Sequence, residues 1–158
     1  MTDVNVDPIQ AGLEELGHSL GFELGLDDDN ACAIEFADGL VCTIEYVEAR
    51  DALFLWTELL TVPENDHDHL LLKALTINAN PFQTGGTAIG YDADRSCLTL
   101  SFLCPASRLD AADVSSTIGT FVIVATDLIE ALRADEAAPT DTTATRRAAF
   151  RSRAIIRG

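Results

Sequence analysis

The stretch from Asn80 to Asp92 constrains the fold of this chain more than any other. It follows an apolar run, Leu70 to Ile77, that has helical spacing, and Pro81 ends that helix because the residue before a proline is held out of the helical region. The glycine pair Gly85-Gly86 permits a tight reversal, since glycine accepts positive φ. A short strand, Thr87 to Asp92, then follows. The stretch therefore predicts a helix, a turn and a strand in that order.

The same glycines superficially resemble a phosphate-binding loop. A P-loop requires a lysine after its last glycine and lies between a strand and a helix, whereas no lysine follows Gly86 and the order here is helix, loop, strand. The dinucleotide-binding fingerprint fails on the same topology. We therefore expect no nucleotide and no other cofactor.

One helix and three strands are predicted upstream of this unit. Ile9, Leu13, Leu16 and Leu20 recur at helical spacing and predict a helix over Pro8 to Leu20, with Asp7 as N-cap and Gly21 at its end. Two alternating runs, Ala31 to Phe36 and Leu40 to Val47, flank Asp38-Gly39, a strong hairpin signal. A third run, Ala52 to Leu60, is apolar on both faces, which is typical of a central strand covered on each side.

A strand and a long helix are predicted downstream. The strand is Cys97 to Cys104, with Leu98, Leu100, Phe102 and Cys104 facing inward. The helix runs from a cap at Asp110 to about Arg133, and its helical spacing outweighs its many β-branched residues. The order α-β-β-β-α-β-β-α predicts an α+β fold with a twisted, mainly antiparallel sheet flanked by helices. Residues 1–133 form one domain, and the Ala/Thr/Pro-rich and then basic residues 134–158 form a flexible tail.

The charge of the chain is strongly divided. Residues 1–145 carry 26 acidic and 5 basic side chains, whereas residues 146–158 carry five arginines and no acid. An acidic body repels nucleic acid and anionic membranes, so we expect neither as a partner. No apolar run reaches the ~18 residues of a membrane span, and no signal peptide is evident, which predicts a cytoplasmic protein.

Neither the cysteines nor the histidines form a motif for catalysis or metal binding. The four cysteines lie within strand-like runs without a C-x-x-C pair, so we interpret them as structural, reduced thiols. His67 and His69 are two residues apart, and such positions point to different faces of a helix. We therefore predict no catalytic residue, no metal site and no enzyme.

The segment from Leu70 to Asp92 resembles the central motif of class I type III secretion chaperones, the CesT/Tir-chaperone family. In that motif a leucine-rich helix ends in an Asn, and a Gly-Gly turn leads into a strand that closes with Gly-x-Asp, here Gly90-Tyr91-Asp92. The resemblance covers roughly residues 7–133. It implies an acidic, homodimeric α/β chaperone of the bacterial cytosol that binds the N-terminal region of secreted virulence effectors, keeps it non-globular and presents it to the secretion ATPase.

The resemblance also implies site residues. The dimer interface would use Phe54, Trp56, Leu71, Leu75 and Asn78, and the effector-binding grooves would involve Leu13, Leu16, Leu20 and Phe102. Ordinary core packing is the alternative role for each of them. Three other functions stay open: a regulatory protein of the same fold that binds a secretion component or a transcription factor, a small enzyme with a spatially assembled site, and an acidic mimic of nucleic acid.

Overall fold

The computed structural model describes residues 6–36 and 38–134. The helices are α1 (Val6–Leu20), α2 (His67–Asn78), α3 (Pro81–Thr84) and α4 (Ala111–Arg133), and the strands are β1 (Ala31–Glu35), β2 (Val41–Val47), β3 (Ala52–Thr61), β4 (Ala88–Asp92) and β5 (Cys97–Pro105). This is the predicted α+β order with one additional short helix, α3. The predicted tail lies, apart from Ala134, outside the described residues.

The five strands form one sheet in the order β1-β2-β3-β5-β4, and every neighbouring pair is antiparallel. The hairpin predicted at Asp38-Gly39 is confirmed, because Gly39 has a φ of 84° and β1 pairs with β2. The predicted central strand is β3, which lies third of five. β5 lies between β3 and β4, so β4 is an edge strand.

The helices form a layer on one face of the sheet. α4 packs on β3, and α1 packs on α4. Leu53, Leu55 and Leu59 of β3 are at most 4% exposed beneath this layer, where they meet the α4 stripe. That stripe consists of Val114, Ile118, Phe121, Ala125, Leu128 and Leu132. α4 is long and apolar enough to cross a membrane by length and mean hydropathy, yet its stripe forms the core of this domain.

Close packing explains two glycines within α1. A Cβ added at Gly12 would lie 2.6 Å from the carbonyl oxygen of Ala111, at the start of α4, and one at Gly17 would lie 2.6 Å from that of Phe22. Each glycine therefore lets another segment of the same chain cross α1. α1 begins at Val6, so Asp7 lies in its first turn and the predicted N-cap role of Asp7 is wrong.

The stretch that joins α2 to β4 contains more structure than a simple turn. α2 ends at Asn78, before the proline, and Pro81 begins α3. The side chain of Asn80 caps α3 by accepting a hydrogen bond from the backbone N–H of Phe82. Gly85 and Gly86 have φ of 59° and 83°, which confirms the predicted reversal. The predicted turn therefore contains a short helix before its glycine pair, because proline is well suited to the first position of a helix.

A side chain of α2 completes the edge of the sheet. Asn78 accepts a hydrogen bond from the backbone N–H of Ile89 at 3.0 Å and donates its amide to the Ile89 carbonyl at 3.3 Å. In an edge strand, alternate residues point these groups away from the sheet. The Asn78 amide therefore substitutes for a neighbouring strand, and it fixes α2 against β4.

Candidate functional site

The face of the sheet opposite α4 carries apolar side chains. Directly opposite residues on neighbouring strands share a face, and Phe54 lies opposite Glu45 and Leu103, while Trp56 lies opposite Thr43 and Ser101. Val41 and Leu103 are 45% and 47% exposed, and Phe54 and Trp56 are half-buried. Among residues 6–36 and 38–134, no helix packs over this face. We call it the open face and define it by Val41, Phe54, Trp56, Leu103 and the acidic residues described next.

Carboxylates surround the apolar centre of the open face. Glu45 pairs with Phe54 across the β2–β3 ladder, Glu35 pairs with Val41 across β1–β2, and Glu58 follows Trp56 by two residues on β3. Within the part of the chain that the structure describes, no ion pair reaches Glu35 or Glu45. The open face is therefore apolar at its centre and negative at its margin.

One cation lies over the open face. Arg95 comes from the β4–β5 turn, and its guanidinium Cζ lies 5.8 Å from the centroid of the Trp56 ring. Its Nη1 donates to Oε1 of Glu58 at 2.8 Å. Both charged side chains are more than half exposed, so this ion pair contributes little to stability. The Arg95 side chain therefore covers part of the Trp56 ring and is bound there only weakly.

A second apolar surface lies on α2 and α3. Leu72, Leu75 and Phe82 are 66%, 65% and 100% exposed. Buried Leu70 and Ala74 occupy the opposite side of α2, which faces β4 and α4. We call Leu72, Leu75 and Phe82 the α2 surface. Three large apolar side chains in water are typical of a protein contact.

The structure separates the residues predicted for the dimer interface. Leu75 is exposed on the α2 surface, Leu71 is half-buried against the core, and Asn78 is held by β4. Phe54 and Trp56 lie instead on the open face, on the side of the sheet away from the helices. Their role in a dimer stays a prediction. Leu72 and Phe82 were not among the predicted residues, although Leu72 lies one helical turn before Leu75.

The residues predicted for effector binding are likewise divided. Leu13 is 0% exposed within the core, so its side chain presents no surface to a partner. Leu16 packs against that core, whereas Leu20 is 45% exposed at the end of α1. Phe102 lines a cavity of about 180 Å³ between α4 and the Gly85 turn. Sequence reasoning missed Val41, Leu103 and Arg95, and no local pattern distinguishes Arg95 from any exposed turn residue.

The described thiols are poor nucleophiles. Burial raises the pKa of the Cys42 thiol to about 12, with a smaller contribution from Cys32, and burial together with nearby Asp27 raises the pKa of Cys32 to about 11. Burial also raises the pKa values of Cys97 and Cys104. A reactive cysteine needs a lowered pKa. The four cysteines therefore behave as small apolar residues.

The histidines of α2 do not converge on one ion. His67 contacts Asp68 at 3.2 Å and packs edge-on against Tyr91, while His69 contacts Asp66 at 3.4 Å. Across residues 6–36 and 38–134, no group of three or more His, Cys, Asp or Glu side chains has the geometry of a metal site. The two histidines therefore make separate contacts at the start of α2.

Comparison with known families decides the identity of the domain. The model of the Tir chaperone protein (CesT) family matches residues 12–128, which is most of the chain. The chain belongs to the Tir chaperone protein family. The predicted resemblance is confirmed, and with it the prediction of a non-catalytic type III secretion chaperone. No curated protein sequence matches the chain directly.

Solved structures of similar fold include several protein complexes. The HopA1-SchA chaperone–effector complex has a chain with a TM-score of 0.63 and 19% identity, and the match covers 84% of this chain and 98% of that one. The ExsC-ExsE complex gives a TM-score of 0.64 at 16% identity, covering 82% and 92%. The heterodimeric ExoU-SpcU complex from the type III secretion system of Pseudomonas aeruginosa gives 0.56 at 18%, covering 77% and 98%. This domain therefore has the Tir chaperone fold.

Proposed function

We propose that this Tir chaperone protein acts in the bacterial cytosol, where it binds the N-terminal region of secreted effectors and keeps it non-globular. The observation that carries the proposal is the open face, an apolar sheet surface with a carboxylate margin and no helix over it. An extended effector segment would bury its apolar side chains against Phe54, Trp56 and Leu103. The acidic margin would favour basic segments and keep the apolar centre soluble.

The α2 surface is proposed as the dimer contact. An isologous dimer presents the same patch twice, and one helix face with Leu72 and Leu75 can pack against its own copy. Phe82 on α3 would extend that contact. This arrangement leaves the open faces of both protomers available for an effector.

Co-expression with effector N-terminal segments from the same genome tests the proposed function. Trp56→Glu places a charge at the centre of the open face and should abolish co-purification of the effector segment. Ile123→Glu is the matched control, because Ile123 is 63% exposed on α4, away from this face. An effector segment that co-purifies equally well with both variants would contradict the proposed binding surface.

Light scattering after gel filtration tests the dimer. The double variant Leu72→Glu/Leu75→Glu should be a monomer, because four carboxylates cannot be buried in one apolar contact. Ile123→Glu should remain a dimer at the same protein concentration. If Trp56→Glu dissociates the protein and the α2 variant does not, the sequence-based assignment of Phe54 and Trp56 to the interface is correct and ours is wrong.

A further inference from the structure

The open face binds one guanidinium group of its own chain, that of Arg95. Arg95 lies 5.8 Å from the Trp56 ring centroid and donates to Glu58 at 2.8 Å. Arginine prefers this combination of an aromatic face and a carboxylate. The Arg95 side chain is 56% exposed, so another arginine can compete for the same positions. Glu35 and Glu45 offer further carboxylates on the same face.

The C-terminal end of the chain has the complementary chemistry. Residues 146–158 carry five arginines and no acid, whereas residues 1–145 have a net charge of −21. Within this segment the apolar residues Phe150, Ile155 and Ile156 are interspersed with arginines. A segment with these residues matches a surface with an apolar centre and a negative margin. No other part of the chain combines apolar residues with a positive net charge of this size.

The segment is also long enough to reach the open face. Lys73 of α2 donates hydrogen bonds to the carbonyl oxygens of Leu132 and Ala134, which fixes the last described residue beside α2. Asn78 fixes α2 in turn against the β4 edge of the sheet. From Ala134, the sixteen residues to Phe150 span up to about 50 Å when extended. The sheet itself is about 33 Å along β3 and about 19 Å across its five strands.

We propose that residues 146–158 dock on the open face of their own chain, with arginines at Glu58, Glu45 and Glu35 and apolar side chains at Trp56. The tether gives this segment an effective concentration of about millimolar at the open face, even where the isolated contact is weak. The segment would then compete with an effector for the open face. This consequence for effectors rests on the proposed function, whereas the docking itself does not.

Trp56 is the only tryptophan in the chain, so its fluorescence reports directly on the open face. In the full-length variant Arg151→Glu/Arg153→Glu, Trp56 should emit at longer wavelength and be quenched more strongly by acrylamide than in the unmodified chain. The difference should appear at about 0.01 M salt and vanish at about 1 M, where the Debye length falls from about 30 Å to about 3 Å. The matched control is Arg108→Glu/Arg133→Glu, which makes the same change in net charge at two exposed positions outside the segment.

Three results would overturn the proposal. One is identical Trp56 emission and quenching in the unmodified chain and the Arg151/Arg153 variant at low salt. Another is an equal change in the Arg108/Arg133 control, which would assign the effect to overall charge. A Trp56 signal that follows protein concentration and ignores the segment would identify a second copy of the chain as the occupant instead, and this also overturns the proposal.

A peptide of residues 146–158 provides a second measurement. Added to the full-length Arg151→Glu/Arg153→Glu variant, it should bind and return the Trp56 emission to shorter wavelength. The same peptide with both arginines replaced by glutamate should bind about 10-fold more weakly, which corresponds to about 1.4 kcal/mol. Peptide binding without any effector binding would support the docking and reject the proposed function, so the two proposals fail separately.

Discussion

The two faces of β3 show how one strand carries both a core and a binding surface. Leu53, Leu55 and Leu59 face the helices and are at most 4% exposed, whereas Phe54 and Trp56, which alternate with them, lie half-buried on the open face. Both faces carry large apolar side chains. The difference between the faces is that α4 covers only one of them. Apolar character on both sides of a strand therefore indicates two contacts, of which a single protomer supplies one.

Substitution of adjacent residues on β3 tests this comparison most directly. Leu55→Ala should lower the free energy of unfolding by about 2–5 kcal/mol, because it leaves a cavity beneath α4. Trp56→Ala should cost less, since its ring is already partly in water. Denaturant titration followed by circular dichroism, at one fixed protein concentration, measures both. Equal losses would mean that the open face is covered in solution.

The edge of the sheet should respond to loss of the Asn78 amide. Asn78→Ala removes both hydrogen-bonding partners of the Ile89 backbone and should cost about 1–3 kcal/mol. Hydrogen exchange of the Ile89 amide should accelerate by more than the change in global stability explains. Asn65→Ala, at an exposed position, is the control. Unchanged protection at Ile89 would show that the Asn78 amide does not hold this strand.

A pair of helical glycines tests the layer that covers the buried face. Gly12→Ala should destabilise the fold by about 1–3 kcal/mol, because its Cβ would lie 2.6 Å from both the Ala111 carbonyl oxygen and the Val114 Cβ. Gly119→Ala, where nothing lies within 4 Å, should stabilise it by about 0.5–1 kcal/mol. Thermal unfolding of the two variants under identical conditions gives the comparison. A stabilising Gly12→Ala would mean that α1 and α4 pack less closely than described.

The smallest effect is expected from the titration of Cys42 on the covered face. Burial raises its pKa from the ordinary value of 9.0 to about 12. The unfolded thiol therefore ionises first, so its contribution is fully present below about pH 9 and is lost as the pH rises toward 12. When the pH is raised from about 8 to about 10, the free energy of unfolding should fall less in Cys42→Ala than in the unmodified chain. The difference between the two decreases should be at most about 1.4 kcal/mol. An identical pH dependence of stability in the two proteins would contradict the raised pKa of Cys42.

The sequence predicted most of the local structure correctly. Helical spacing identified α1, α2 and α4, and the predicted cap at Asp110 begins α4, where the structure shows that it forms a capping box with Asp113. The errors occurred where two local rules compete. Pro81 was interpreted only as the end of a helix, whereas it also begins one, because the side chain of Asn80 caps α3. Where local rules conflict, the hydrogen bonds formed in the folded chain decide the local structure.

The candidate site was predictable only in part. Trp56 and Leu75 were assigned to the dimer interface by the family resemblance; Trp56 is half-buried and Leu75 is 65% exposed. The same resemblance assigned Leu13 to effector binding, but an amphipathic stripe does not reveal what covers it, and in the fold α4 packs on α1 and Leu13 is 0% exposed. Arg95 acquires its role only because the β4–β5 turn brings it beside Trp56, 39 residues away in the chain.

The sequence by itself determined the order of the elements, the hairpin, the Gly-Gly reversal and the acidic body with its basic end. Periodicity and turn chemistry are properties of neighbouring residues, and they are legible without the fold. The tertiary structure alone decided that β5 inserts between β3 and β4, that Asn78 completes the β4 edge, and that α4 covers one face of β3. These features depend on contacts between distant segments, whose pairing is selected by the packing of the whole domain.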